Sequence, residues 1–263
     1  MKKVTAALAI ATAILFAGGW NTAMATPSTT YWTPGTSDIQ PYGVWHLGID
    51  NYFTITTKAG ETGSLPTDVG ITVGVLPYEK IQLEVGIDLL EPTTEPSEPV
   101  YFNAKLGTPE NALFEGSPAL NIGVFNVGTK RDGAGRTDQD IMHVMIGKTL
   151  PMNLGRLHVG GYTGNDKILV DKDGKKDNSG VMIGYDKGFL PAKDDKGEYN
   201  KWIFAADYAS GKNTIGGGGF GMYYFFTRDI SLLTGPVWFN EPAVVAGNGN
   251  IKWVWTTQLD INF

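Results

Sequence analysis

Residues 251–263 alternate with a period of two. Ile251, Trp253, Trp255, Thr257, Leu259, Ile261 and Phe263 share one face of an extended chain, while Lys252, Val254, Thr256, Gln258, Asp260 and Asn262 share the other. Successive side chains of a strand point to opposite faces. The segment therefore reads as a strand with one apolar, aromatic face and one mostly polar face. Such a strand fits a sheet whose two sides meet different media.

The same alternation recurs upstream. Ile81, Leu83, Val85, Ile87 and Leu89 oppose Gln82, Glu84, Gly86 and Asp88, and Val69, Ile71, Val73 and Val75 oppose Asp68, Gly70, Thr72 and Gly74. Twelve candidate strands follow, near 40–56, 66–76, 80–91, 99–107, 118–128, 139–149, 155–164, 178–188, 200–210, 214–227, 229–240 and 250–263. Those at 214–227 and 229–240 are interrupted by the Gly216–Gly219 run and by Pro236. A proline within a strand removes a ladder donor and marks an edge or bulge.

At the other end of the chain, Lys2 and Lys3 precede an apolar run, Ala6 to Ala17, and Ala23-Met24-Ala25 makes a small-x-small site. This is the pattern of a secretory signal peptide over 1–25, too short in its apolar part to serve as a membrane anchor. Losing Lys2 and Lys3 takes the formal charge from −6 to −8, which disfavours nucleic acid and anionic headgroups as partners. The chain has no cysteine, so an exported product has no disulfides to rely on. After residue 25 no apolar stretch approaches 18 residues. A membrane location would then require a closed barrel, the other architecture that satisfies every backbone hydrogen bond in lipid.

A signal peptide, alternating strands and a final Phe263 together resemble the outer-membrane β-barrels of Gram-negative bacteria, over essentially the whole chain beyond the signal. The resemblance implies an all-β fold, a closed antiparallel up-and-down transmembrane β-barrel of about 12 strands. It divides the chain into a signal peptide (1–25), a periplasmic N-terminal segment (26–39) and the barrel (40–263). It implies outer-membrane lipid and lipopolysaccharide as surroundings, and the barrel-assembly machinery as a partner of the C-terminal strand. Outward loops would be 57–65, 92–98, 129–138, 165–177, 211–213 and 241–249. The inward connection 189–199 is long for a periplasmic turn. Aromatics Trp202, Tyr224, Phe226 and Phe263 would form a girdle near the periplasmic rim, and Trp238 and Trp253 near the outer rim.

Parity then assigns an inward set: Asp50, Asp68, Glu84, Asp88, Asp186, Asp207 and Asp260, with Lys105, Arg156 and Lys252 as basic counterparts. An acidic wall favours cations; the same carboxylates could instead be paired to the bases or to backbone donors. Many inward positions are glycine, which would leave a pore open or let the wall curve. The three histidines, His46, His143 and His158, also point inward. Pairing of the sixth and seventh strands sets His158 opposite Gly147 and about 13 Å from His143, so no metal site is expected of them. None of the histidines is followed two residues later by the serine of an outer-membrane phospholipase. Asp138, Asp140 and His143 only loosely resemble an omptin-type set. No cofactor is expected, and Asp171–Asp177 fails as a calcium loop at both ends. Two readings remain open: a narrow passive channel for small solutes or cations, and a plugged barrel acting as a surface scaffold, adhesin or partner of another envelope protein.

Overall fold

The computed structural model describes residues 29, 31–56, 65–91, 100–133, 135–245 and 250–263. The signal peptide read at 1–25 lies outside the described residues. Twelve strands form a single closed antiparallel barrel in which each strand pairs with its neighbour in sequence and β1 closes on β12. They are β1 Trp45–Phe53, β2 Thr67–Gly74, β3 Gln82–Glu91, β4 Val100–Thr108, β5 Ala119–Gly128, β6 Ile141–Thr149, β7 Arg156–Thr163, β8 Ser179–Asp194, β9 Gly197–Ala209, β10 Gly217–Phe225, β11 Ile230–Phe239 and β12 Trp253–Asn262.

Alternation along the strands sorts the side chains as it must. Val85, Ile87, Phe102, Ile122, Val144, Ile183 and Phe220 stand exposed on the outside, whereas His46, Glu84, Lys105, His143, Arg156, Asp186, Asp207 and Asp260 are buried inside. This is the inverse of a soluble protein over most of the circumference; on β10 and β11 the inner face is apolar too, with Tyr223, Phe225, Leu233, Val237 and Phe239 buried around Tyr31. Ile251 departs from the expected parity: β12 starts at Trp253, and Ile251 packs into the interior cluster. Lys252, expected to face inward, is exposed for the same reason.

Connections alternate between a short-loop end and a long-loop end. One expectation needs correction. The 189–199 connection is not a loop; β8 and β9 continue past the rim as a paired hairpin, from Pro191↔Asn200 to Asp194↔Gly197, around the two-residue turn Asp195-Lys196. Arg228 of the neighbouring β10–β11 turn braces it. Its guanidinium donates to Asp194 at 2.8 and 3.0 Å and lies 5.4 Å from the Tyr199 ring. Pro236 is accommodated where the β10–β11 pairing lapses, between Gly219↔Val237 and Met222↔Thr234, while its pairing with Trp255 on β12 continues. An extra residue in β5, with Asn126 at φ 52°, bulges the sheet opposite Phe102–Ala104.

The strongest departure is in the N-terminal segment. Expected as a periplasmic stretch ahead of the barrel, its described part, 31–39, lies inside the barrel. Tyr31, Thr33, Thr36, Ser37 and Ile39 are all at most 5% exposed. The chain turns at Pro41–Val44, bridges Gly74 through Tyr42, and only then enters β1. The long connection after β7 also folds inward, placing Leu169 with Ile141, Met145, Met182 and Ile215 in a buried cluster.

Candidate functional site

The site is the lumen, and two groups of side chains divide it. One group holds the inserted segment. Near the long-loop end, the backbone N–H groups of Tyr31, Trp32 and Thr33 all donate to Asp207 Oδ2, at 3.0, 2.9 and 2.8 Å. Consecutive amides converging on one oxygen make a concave anion seat, here filled by a carboxylate from β9. The Tyr31 ring lies against Gly219, Gly221 and Gly235. A Cβ at Gly219 would sit 2.2 Å from it, so glycine there makes room for the ring. Gln258 donates to the Tyr31 carbonyl at 3.0 Å, and Trp32 packs edge-on against Tyr52 and Phe239.

Toward the short-loop end the segment crosses the barrel as a strap. Arg156 of β7 forks onto Asp38 at 2.5 and 2.6 Å. Glu84 of β3 accepts the Gln40 N–H at 2.7 Å and pairs with Lys105 of β4 at 3.3 Å; Lys105 also donates to the Asp38 carbonyl. Asn121 of β5 donates to the Thr36 carbonyl at 2.9 Å. His158 Nδ1 accepts the Ser37 N–H at 3.0 Å and lies 3.0 Å from Ser37 Oγ, while Nε2 faces Asp186 at 3.0 Å. Because Nδ1 accepts, the ring proton sits on Nε2 and points at the carboxylate. Ser37, His158 and Asp186 thus form the hydrogen-bonded row of a hydrolase triad, but all three are at most 2% exposed. None of the three lines the lumenal cavity. The row is a clasp for the strap.

The second group faces the space that remains, a cavity of about 290 Å³ on the β1–β5 side. Asp50 and Asp68 are register partners on β1 and β2. Asp88 of β3 leans over Gly70, where a Cβ would meet its Oδ1 at 2.5 Å, and accepts from Asn103 at 2.5 Å. Asp260 is at the cavity floor, paired with His46 at 3.3 Å.

The eight residues read as lumen-lining are therefore on the inner face, in different roles. Asp186 and Asp207 hold the segment, Glu84 and Lys105 hold it and also line the cavity, Asp260 holds His46 at the cavity floor, and Asp50, Asp68 and Asp88 border open space. The histidines do not converge: His46 and His158 are engaged as above, and His143 faces the cavity. Among the described residues no His, Cys, Asp or Glu group of three could hold a metal ion. Trp202 and Tyr224 pack 4.8 Å apart with Phe226 beyond at the short-loop end, and Trp238 opposes Trp253 toward the long-loop end; Phe263 is exposed. Sequence reasoning missed Tyr31, Trp32, Ser37, Asp38 and Gln40. The available signal was the pair of aromatics in a Thr/Ser/Pro stretch, set against glycines crowded on the inner faces of β10 and β11.

No protein-family model and no curated protein matches the chain. Among solved structures it is similar to a NanC porin, with 9% identity over 82% of this chain and 98% of that one at a TM-score of 0.49. It is also similar to a triple mutant of the Rhodopseudomonas blastica porin, with 12% identity over 94% of this chain and 72% of that one at a TM-score of 0.39. The architecture is a closed twelve-stranded antiparallel β-barrel. That statement rests on the closed ladder of the chain itself, since likeness at these values carries nothing about function.

Proposed function

We propose that the chain is an exported outer-membrane barrel whose own N-terminal segment plugs the lumen. The mature product would begin after Ala25, sit in lipid and lipopolysaccharide, and be inserted through recognition of its C-terminal strand. The single observation that carries the plugged reading is the double anchoring of 31–40, by Asp207 toward one end and by Arg156, Lys105 and His158 toward the other. An open passive channel would leave these groups facing water. Instead most of their hydrogen-bonding capacity goes to the segment, which offsets the desolvation of these polar groups, although one oxygen each of Asp207, Asp186, Asn121 and Gln40 is left without a donor.

The plug and the remaining acids make distinct demands on an experiment. In planar bilayers the intact protein is expected to insert and stay electrically silent. A variant lacking residues 31–40 is expected to conduct, with cation preference from Asp50, Asp68 and Asp88. Asp68→Asn with Asp88→Asn should reduce that preference. Steady conductance of the intact protein equal to that of the shortened variant would refute the plug. Should the shortened variant fail to fold, Asp207→Ala with Arg156→Met tests the same point with the segment present but unclasped.

A further inference from the structure

The acids left over by the plug form no direct ion pair, and His46 acts on Asp50 and Asp88 only at longer range. Asp50 and Asp68 face each other across β1 and β2, a placement that holds side chains about 5 Å apart and destabilises like charges. Asp88 joins them by leaning over Gly70. No described Lys, Arg or His nitrogen comes within 4.0 Å of any of the three. The nearby bases are committed elsewhere, His46 to Asp260 and Lys105 to Glu84. A buried Asp68 oxygen has no donor.

A second observation at the same cavity is independent of the acids. His143 projects into it from β6, is 2% exposed, and has no partner on either ring nitrogen. A buried imidazole with both nitrogens idle is costly unless something polar reaches it. The same cavity is lined by the rings of Trp32, Tyr52, Tyr101 and Phe125 and, on the His143 side, by Lys105, whose ammonium is paired with Glu84. The cavity, at about 290 Å³, is just below the usual range of ligand sites, about 300–1,000 Å³, which limits it to a small ligand.

We propose that this cavity binds a small organic amine, its ammonium among Asp50, Asp68 and Asp88, its carbon frame against the aromatic walls, and a polar contact to His143. A bare metal ion fits poorly, because the described acids and histidines do not gather closely enough around one point. An ammonium on a carbon skeleton matches both wall types, since carboxylates and aromatic faces each attract it in a desolvated site. The proposal rests on the plugged reading, because Trp32 of the inserted segment supplies one wall.

The test uses the full folded protein in detergent, titrated calorimetrically with phenethylamine, with putrescine, and with phenethyl alcohol as the neutral match. At least one amine is expected to bind at least about tenfold more tightly than the alcohol. Asp68→Asn is expected to weaken that amine by about tenfold or more. Asp50→Asn stands in if that variant does not fold, and His143→Phe should weaken binding less. Equal affinity for amine and alcohol, no binding of either amine, or unchanged affinity in the folded Asn variants would overturn the proposal. A silent barrel that ignores amines would remove this inference and leave the plug intact. A conducting intact barrel would remove the plug whatever the amines do.

Discussion

At the scale of single residues, Asp207 matters most. One of its oxygens takes three backbone N–H groups, and hydrogen bonds to a charged acceptor contribute about 1.5–3 kcal/mol each, without simple additivity. Asp207→Ala strands those buried amides, so the folded state should lose about 3 kcal/mol, and the Tyr31–Thr33 stretch should come loose. Limited proteolysis of the detergent-folded protein, alongside urea unfolding, checks both; an N-terminal stretch as resistant as the parent's would contradict the assignment. Tyr31→Ala removes a ring that is 1% exposed, and aromatic-to-alanine changes in cores cost about 3–5 kcal/mol. Parity alone placed Asp207 on the inner face. It could not reveal what Asp207 holds, because the partner amides lie 174 to 176 positions away on a segment with no periodicity. A carboxylate facing a pore and one seating a backbone loop look identical along a strand. That is also why the acids read as one wall separate in space into clasps and a cavity lining.

At the scale of elements, the long connections are more than solvated tails. Leu169 in the β7–β8 connection is fully buried, so Leu169→Ala should destabilise by about 2–5 kcal/mol, read as a lower urea midpoint. A change typical of an exposed loop would show the connection to be detached. Asp138, in the connection before β6, binds Arg136 and the Asn165 amide. The Arg136 hydrogen bond holds its carboxyl below the ordinary carboxylate range. A group with a depressed folded pKa stabilises above its unfolded value and loses that contribution as pH falls through the folded value. The β5–β6 to β7–β8 contact should therefore persist at neutral pH and weaken only in acid; Asp138→Asn should flatten that dependence in exchange of the Asn165 side-chain amide. Strand existence was legible because the period-two pattern is long and repeated. The β8–β9 connection was not, since Gly188, Pro191 and Gly197 punctuate a stretch that nonetheless pairs, braced by an arginine from the next turn. Pro236 read as an edge or bulge; it sits in a closed ladder because its missing donor falls where pairing to β10 lapses.

At the scale of the whole molecule, closure is the decisive fact. β1 pairs with β12 from His46↔Asn262 to Phe53↔Trp255, so the barrel wall has no open edge; only the β8–β9 extension beyond the rim is unflanked. What remains is an outward face of isoleucine, valine, phenylalanine and tryptophan wrapped around an interior of charged pairs and two buried apolar clusters. In water that face would be a continuous adhesive surface; in a bilayer it is the side that hydrocarbon requires. The two environments predict opposite responses to a charge placed on it. Ile87, in mid-β3 between Ile71 and Phe102, is 44% exposed. If it faces lipid near the midplane, Ile87→Arg should destabilise folding into vesicles by about 2–4 kcal/mol. The same change at the rim, Ile230→Arg, should cost about 0–1 kcal/mol, the depth dependence that lipid imposes. Equilibrium refolding in urea with vesicles measures both. A neutral or stabilising effect at Ile87, as on a soluble surface, would place the barrel outside the membrane. A loss at Ile87 that exceeds the loss at Ile230 ties the apolar belt to lipid, and makes the buried polar interior, with its inserted segment, the part of the molecule that has to account for function.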